Sequence, residues 1–155
     1  MNLVLPAPAA AFLPHAPPMV LIDQVLFVDA QRLIASTRIQ PPFPFYNPEG
    51  VGIHIGMEIM AQACGVYAGW HDRVANKPIR PGLLLAVRRF MATTDRLLPG
   101  SLAVTAVESL LSGEELGVFL CTISVEDHPL AHAQLSLMRP GSEREFTTLI
   151  SGNHG

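Results

Sequence analysis

Charge is scarce in this sequence. Only 15% of its 155 residues are Asp, Glu, Lys or Arg, and the formal net charge is -3. Nucleic-acid binding needs a clustered positive field, which so lean a set of basic residues does not supply. Cysteine is nearly absent too. Neither the number nor the spacing of Cys64 and Cys121 builds a disulfide framework or a metal site, and both stand in apolar runs as small buried residues do. No apolar run uninterrupted by proline or charge approaches the ~18 residues needed to span a bilayer. The leading stretch MNLVLPAPAAAFLPHAPP lacks a basic region and is broken by prolines, unlike a secretion signal. These absences point to a cytoplasmic protein without membrane contact. Also missing are a phosphate-cradling glycine–lysine loop, a GxGxxG following a strand, and a nucleophile elbow.

Apolar residues, by contrast, make up 49% of the chain. A chain of this size is one domain, here taken as residues 1–155 with a core from about 13 to 139 and a loose tail after about 151. Small domains bury a limited fraction of their surface, so part of this apolar content belongs to a subunit interface or a ligand tunnel.

The patterning gives one helix among strands. A short helix fits Pro8 to Leu13. Asp23–Asp29 and Arg32–Gln40 read as a hairpin turning at Ala30 and Gln31. The loop PPFPFYNPEG (Pro41–Gly50) carries Phe43, Phe45 and Tyr46, and such a loop either packs on an apolar surface or lines a site. From Val51 to about Arg73 there is no proline, and apolar residues occur nearly all round, the pattern of a buried helix. Ala61, Gly65 and Gly69 recur every four positions, a smooth stripe for close packing of another backbone. Gly82–Thr94, Ser101–Leu111, Leu116–Val125 and Leu130–Met138 then read as four strands in antiparallel succession, with a short extra strand at Phe146–Ile150. One helix and one curved sheet make an α+β fold, and a helix apolar on every side calls for a dimer partner to cover what the sheet does not.

Glu58 is the only formally charged residue from Ile55 to Trp70. A carboxylate among apolar neighbours must be paired, hydrogen-bonded or protonated. Such a group serves either as a general acid or base, or as a structural glutamate held by Gln62 and backbone groups. His54 precedes Glu58 by four residues and shares its helix face, so the two form a proton-tuning pair or a plain hydrogen bond. No adjacent residue completes a metal site around them. His15, between prolines, is a base or a turn cap. His71, His128, His132 and His154 fall in terminal, turn or edge contexts and read as solvated. Arg80, Arg88, Arg89 and Arg96 crowd one stretch, either as a solvated face or as a patch for an acidic partner.

Two segments resemble a known family. LPHAPPMVLID (Leu13–Asp23) is similar to the N-terminal signature of FabZ-type 3-hydroxyacyl-(acyl carrier protein) dehydratases. GMEIMAQACGVYAG (Gly56–Gly69) is similar to their central-helix motif. Together with LLLAVRRF (Leu83–Phe90), they most resemble the dehydratase-like proteins of aryl polyene and flexirubin-type pigment clusters. The resemblance implies a hot-dog fold, in which a long antiparallel sheet wraps one helix, with active sites at a dimer interface. It implies loss of water from a 3-hydroxyacyl thioester carried on acyl carrier protein, with no metal or redox cofactor beyond the substrate's phosphopantetheine arm. Glu58 and Gln62 carry over to the catalytic set. The family's loop histidine does not, because PFPFYNPEG has none. His15, which matches a motif position, or His54 then supplies the imidazole, or the chain is a non-catalytic subunit of a heterodimer. A thioesterase of the same fold is the competing enzyme. On this resemblance the acyl channel is formed by the helix stripe at Gly65 and by Phe45 and Tyr46, a backbone N–H near Gly56 polarises the thioester carbonyl, and Arg88 and Arg89 steer the acidic carrier protein.

Overall fold

The computed structural model describes residues 4–13 and 20–139. His15 and the strand expected at Phe146–Ile150 lie outside them.

The N-terminal stretch forms β1 (Ala7–Pro8) and a 3₁₀ turn, Ala9–Phe12. The hairpin is β2 (Gln24–Val28) and β3 (Arg32–Arg38), closed by Asp29, whose Oδ1 accepts the N–H groups of Gln31 and Arg32 at 2.9 and 2.7 Å. The helix begins later than its apolar pattern implies. Val51–Gly52 is a short strand, β4, and Ile53–Ile55 a 3₁₀ turn, before α1 runs from Gly56 to Val74. The delay has a tertiary cause: Gly52 is extended (φ -58, ψ 139), and the Ile53 N–H is drawn to the Asp95 carbonyl at 2.8 Å. Then follow β5 (Leu83–Ala92), β6 (Arg96–Leu97), β7 (Leu102–Ser112), β8 (Leu116–Val125) and β9 (His128–Met138).

One antiparallel sheet has the order β1-β2-β3-β7-β8-β9-β5, and β4 pairs with β6 separately. The expectation of four strands in simple succession fails at one point. β7, β8 and β9 do follow one another, but β5 pairs with β9 at the sheet edge instead of with β7. β3 already occupies the β7 edge in unbroken register from Arg32↔Glu108 to Arg38↔Leu102, so β5 has only the far edge left.

Alternation sets the inner face of the sheet. Ala103, Thr105 and Val107 of β7 and Ala131, Ala133, Leu135 and Leu137 of β9 are buried against α1, as period-2 patterning requires. From the helix, Ile59, Met60, Ala63, Cys64, Val66 and Tyr67 fill the core. The opposite side of α1 is not buried by the sheet: Glu58 is exposed, and Ala61, Gln62, Gly65 and Ala68 are half-buried. The stripe of small residues therefore divides. A Cβ on Gly69 would meet the Phe12 carbonyl oxygen at 1.8 Å, so here another backbone does pack closely. A Cβ on Gly65 would meet only Leu13 Cδ2, at 3.5 Å.

β5 forms one edge of the sheet, and Leu85 (51%) and Met91 (59%) stand exposed on it. A bulge between Arg88 and Met91 carries Arg89 at φ 55, which breaks the regularity of the strand.

Candidate active site

A cavity of about 400 Å³ runs along the uncovered side of α1. Glu58, Ala61, Gln62, Gly65 and Ala68 line it from the helix. Leu13 lines it from the N-terminal turn, Leu84 from β5, Leu116 and Phe119 from β8, and Leu137 from β9. Small helix residues give it a smooth wall and leucines give it apolar sides, a lining suited to an extended hydrocarbon.

Glu58, in the first turn of α1, is exposed at one end of this cavity. The sequence placed it among apolar helix neighbours, but the side of α1 that carries it faces open space instead of the sheet. The partner expected at His54 is not there. His54 belongs to the 3₁₀ turn, is exposed, and folds back over Gly52, where an added Cβ would come within 2.7 Å of its Nδ1. Among the described residues no hydrogen bond joins His54 to Glu58.

Gln62, one turn on, has a structural task. Its Oε1 accepts the Leu21 N–H at 2.7 Å, while the Leu21 carbonyl accepts the Thr37 hydroxyl at 2.9 Å. Leu21 and Ile22 are buried, and Asp23 Oδ2 accepts the Arg38 N–H at 2.8 Å. The Leu-Ile-Asp end of the N-terminal signature is thus a clamp that ties this segment to α1 and β3. Leu13 lines the cavity and Leu21 is bonded to Gln62, so described residues on both sides of His15 meet the site.

Three residues expected to contact substrate lie elsewhere than along the cavity wall. The Gly56 N–H is not available to a thioester carbonyl, because it donates to the carbonyls of Ile53 and His54 as the 3₁₀ turn passes into α1. Gly56 is buried, and its place is a packing one: a Cβ there would meet Ile123 Cδ1 at 3.1 Å. Phe45 and Tyr46 do not line the cavity. Their loop folds on itself through Phe43 N–H to the Gln40 carbonyl and Tyr46 N–H to the Phe43 carbonyl; Tyr46 packs on the core and Phe45 is exposed. Gly65 does line the cavity. Arg88 and Arg89 are exposed on β5. The four arginines do not form one patch: Arg96 pairs with Glu49 at 3.0 Å, and Arg80 lines the cavity.

The end of the cavity far from Glu58 is polar, a feature with no local signal in the sequence. His71 is half-buried, not solvated. Its Nε2 lies 3.0 Å from the Asp29 carbonyl and its ring meets Tyr67 edge-on at 4.5 Å. Buried Asp72 is ion-paired with Arg139, and burial lowers the pKa of that guanidinium. On the inner wall the Cys64 and Cys121 sulfurs lie 3.5 Å apart, and burial pushes the Cys64 thiol up, so it is a poor nucleophile. Among the described residues no three of His, Cys, Asp and Glu cluster to hold a metal, and no helix is long and apolar enough to cross a membrane.

Comparison with known proteins agrees with this geometry. The pattern of the ApeP-like family, described as ApeP dehydratase, matches residues 7–150. Among solved structures, the dehydratase heterocomplex ApeI:P from Xenorhabdus doucetiae superposes with a TM-score of 0.87 at 29% identity, covering 93% of this chain and 97% of that one. More distant structures share the fold alone. One is smu.793 from Streptococcus mutans UA159 bound to acetyl CoA (TM-score 0.60, 12% identity, 82% and 94% coverage). Another is a hypothetical thioesterase from Streptococcus pneumoniae TIGR4 with coenzyme A (TM-score 0.57, 11% identity, 76% and 85% coverage). No curated protein matches the sequence.

Proposed function

The chain belongs to the ApeP-like family of dehydratases, with a hot-dog fold, and we propose that it removes water from a 3-hydroxyacyl thioester on acyl carrier protein, working beside a second hot-dog subunit. The observation that carries this reading is the position of Glu58, an exposed carboxyl group at the helix N-terminal end of a cavity walled by small and apolar residues. The acyl chain lies along the small residues of α1. A base takes the α-proton, the C–O bond to the 3-hydroxyl breaks as Glu58 protonates the leaving oxygen, and a trans-2 double bond and one water result. His15 is the base in this proposal, because Leu13 before it lines the cavity and Leu21 after it is bonded to Gln62, which also lines it. Gln62 holds that segment and so positions the base. No cofactor takes part beyond the phosphopantetheine arm of the substrate.

The second subunit is supported by the edge strand β5, which presents Leu85 and Met91 to solvent beside the open face of α1. An exposed apolar edge is stable in a soluble protein when another chain covers it. The ApeI:P heterocomplex is the assembly this resembles. Arg88 and Arg89 on the same strand give the carrier protein a positive approach.

One observation favours a second reading, in which the chain shapes a site whose imidazole belongs to the other subunit: no histidine among the described residues is bonded to Glu58. Incubating a 3-hydroxyacyl-carrier-protein with the chain alone, with its hot-dog partner, and with the His15→Ala variant plus partner separates the two. The proposal expects a mass loss of one water that His15→Ala abolishes. Full activity of His15→Ala in the complex moves the base to the partner. Release of free thiol replaces the dehydratase reading with a thioesterase.

A further inference from the structure

The geometry points to a second recognition site at the far end of the acyl cavity, built from Arg80, Arg139, Asp72 and His71, for a substrate whose acyl chain ends in a hydrogen-bond-accepting oxygen. This rests on the reading of the cavity as an acyl channel. Glu58 and His71 both line it and are thirteen residues apart on α1, which at ~1.5 Å per residue is roughly 20 Å along the helix axis. A chain with its thioester beside Glu58 therefore travels past Gln62, whose Oε1 is bonded to the Leu21 N–H, and past the small residues Ala61, Gly65 and Ala68 before it meets a charged group.

What it meets is rich in donors. The Arg139 guanidinium, 17% exposed, spends Nη2 on Asp72, while its Nε is buried with no partner among the described residues. Among the described residues the Arg80 guanidinium spends one bond, at 3.2 Å, on the Glu114 carbonyl. A guanidinium carries five N–H donors, so most of those on Arg80 remain for a ligand. Asp72 balances one of the two cations and also accepts the Arg80 backbone N–H at 3.4 Å, which fixes the spacing of the two arginines. His71 faces a carbonyl acceptor, Asp29 O, so its Nε2 carries the hydrogen and Nδ1 turns elsewhere. Glu115 also lines this end, exposed at the β7–β8 turn.

A plain alkyl end pressed into this corner displaces water from the guanidinium groups and returns no hydrogen bond. An oxygen there accepts from them, and a bond to a charged donor is the stronger kind. The site accordingly sorts substrates by the chemistry of the far end, ~20 Å from the reacting bond. A hydroxyl and a carboxylate share that chemistry. Arginine's planar fork fits a carboxylate best, so the two are separable by experiment.

The test uses the chain in complex with its hot-dog partner and three carrier-bound 3-hydroxyacyl chains of equal length, ending in methyl, hydroxyl and carboxylate. The expected result is a kcat/KM about tenfold or more higher for an oxygen-ended chain than for the methyl-ended one, with that ratio collapsing toward one in Arg80→Met. Arg139→Lys, which keeps the charge facing Asp72, should lower the ratio without unfolding the chain. Which oxygen-ended chain wins identifies the natural terminus as hydroxyl or carboxylate. Equal kcat/KM for all three chains, or a preference that survives both variants, overturns the site. Dehydration of none of the chains overturns the dehydratase reading instead, and the two failures are thereby distinct.

Discussion

Replacing glycine by alanine at two positions four residues apart on α1 should have opposite effects. At Gly69 the new Cβ would lie 1.8 Å from the Phe12 carbonyl oxygen and 2.8 Å from its carbon. Those are backbone atoms and cannot turn aside, so the 3₁₀ turn Ala9–Phe12 must move off the helix. With it goes Phe12, which is 1% exposed and packs on Trp70 at a ring distance of 4.9 Å. Overpacking of this kind costs about 1–3 kcal/mol, and displacement of a backbone belongs at the upper end. At Gly65 the Cβ finds Leu13 Cδ2 at 3.5 Å, an ordinary contact. There the substitution keeps the benefit that alanine brings to a helix, about 0.5–1 kcal/mol. Urea unfolding followed by circular dichroism reads both. Gly69→Ala is expected to lose about 2 kcal/mol net of the helical gain, and Gly65→Ala to gain up to about 1 kcal/mol. Equal midpoints for the two variants would refute the division of the stripe into a packed half and an open half.

Gly65→Leu should fill the cavity wall, leaving short 3-hydroxyacyl chains as substrates and cutting turnover of long ones by about tenfold or more, read by a chain-length series. Asp72→Ala leaves the largely buried Arg139 without its counter-charge and should cost about 3 kcal/mol in chemical denaturation. Charge reversal of Arg88 and Arg89 should slow dehydration of carrier-bound substrate at low salt more than that of a free pantetheine thioester, with the difference shrinking as salt rises past ~0.15 M. Asp29 accepts the N–H groups of Gln31 and Arg32, which hold its carboxyl below the usual 3.8. Its contribution to the β2–β3 turn is therefore present above that value and lost as pH falls through the lower, folded-state value. A titration of those two amides by NMR should show their shifts moving with a midpoint below pH 3.8.

Local signals in the sequence sufficed for elements whose partners are near in the chain. The β2–β3 hairpin and the β7–β8–β9 meander each announce themselves by alternation and turns, and α1 by an apolar stretch free of proline. The start of α1 was misread because Ile53 and Ile55 continue the apolar pattern, while the conformation of Gly52 and the bond from Ile53 to Asp95 depend on a segment forty residues away. The sideways step of β5 follows from competition with β3 for one edge, which no local pattern encodes. At the site, Glu58 stood out through its apolar neighbours, and the structure moved it from the buried to the open side of the helix. Gln62 also holds Leu21, a bond across forty-one residues that no local pattern announces. Arg139 and Asp72 were invisible because they lie sixty-seven residues apart, and a lone arginine after a strand carries no sign that it will be buried. His71 was read as solvated from its place at the helix end, yet the Asp29 carbonyl at the tip of the hairpin reaches it.

The most direct measurement of the central claim is the mass of carrier-bound 3-hydroxyacyl substrate after incubation with the chain and its hot-dog partner, wild type against Glu58→Gln. Glu58→Gln keeps the shape of the side chain and removes its proton, so loss of one water by the wild type and none by a folded, complex-forming variant is the predicted result. Undiminished loss of water by Glu58→Gln would contradict the account and place the acid elsewhere.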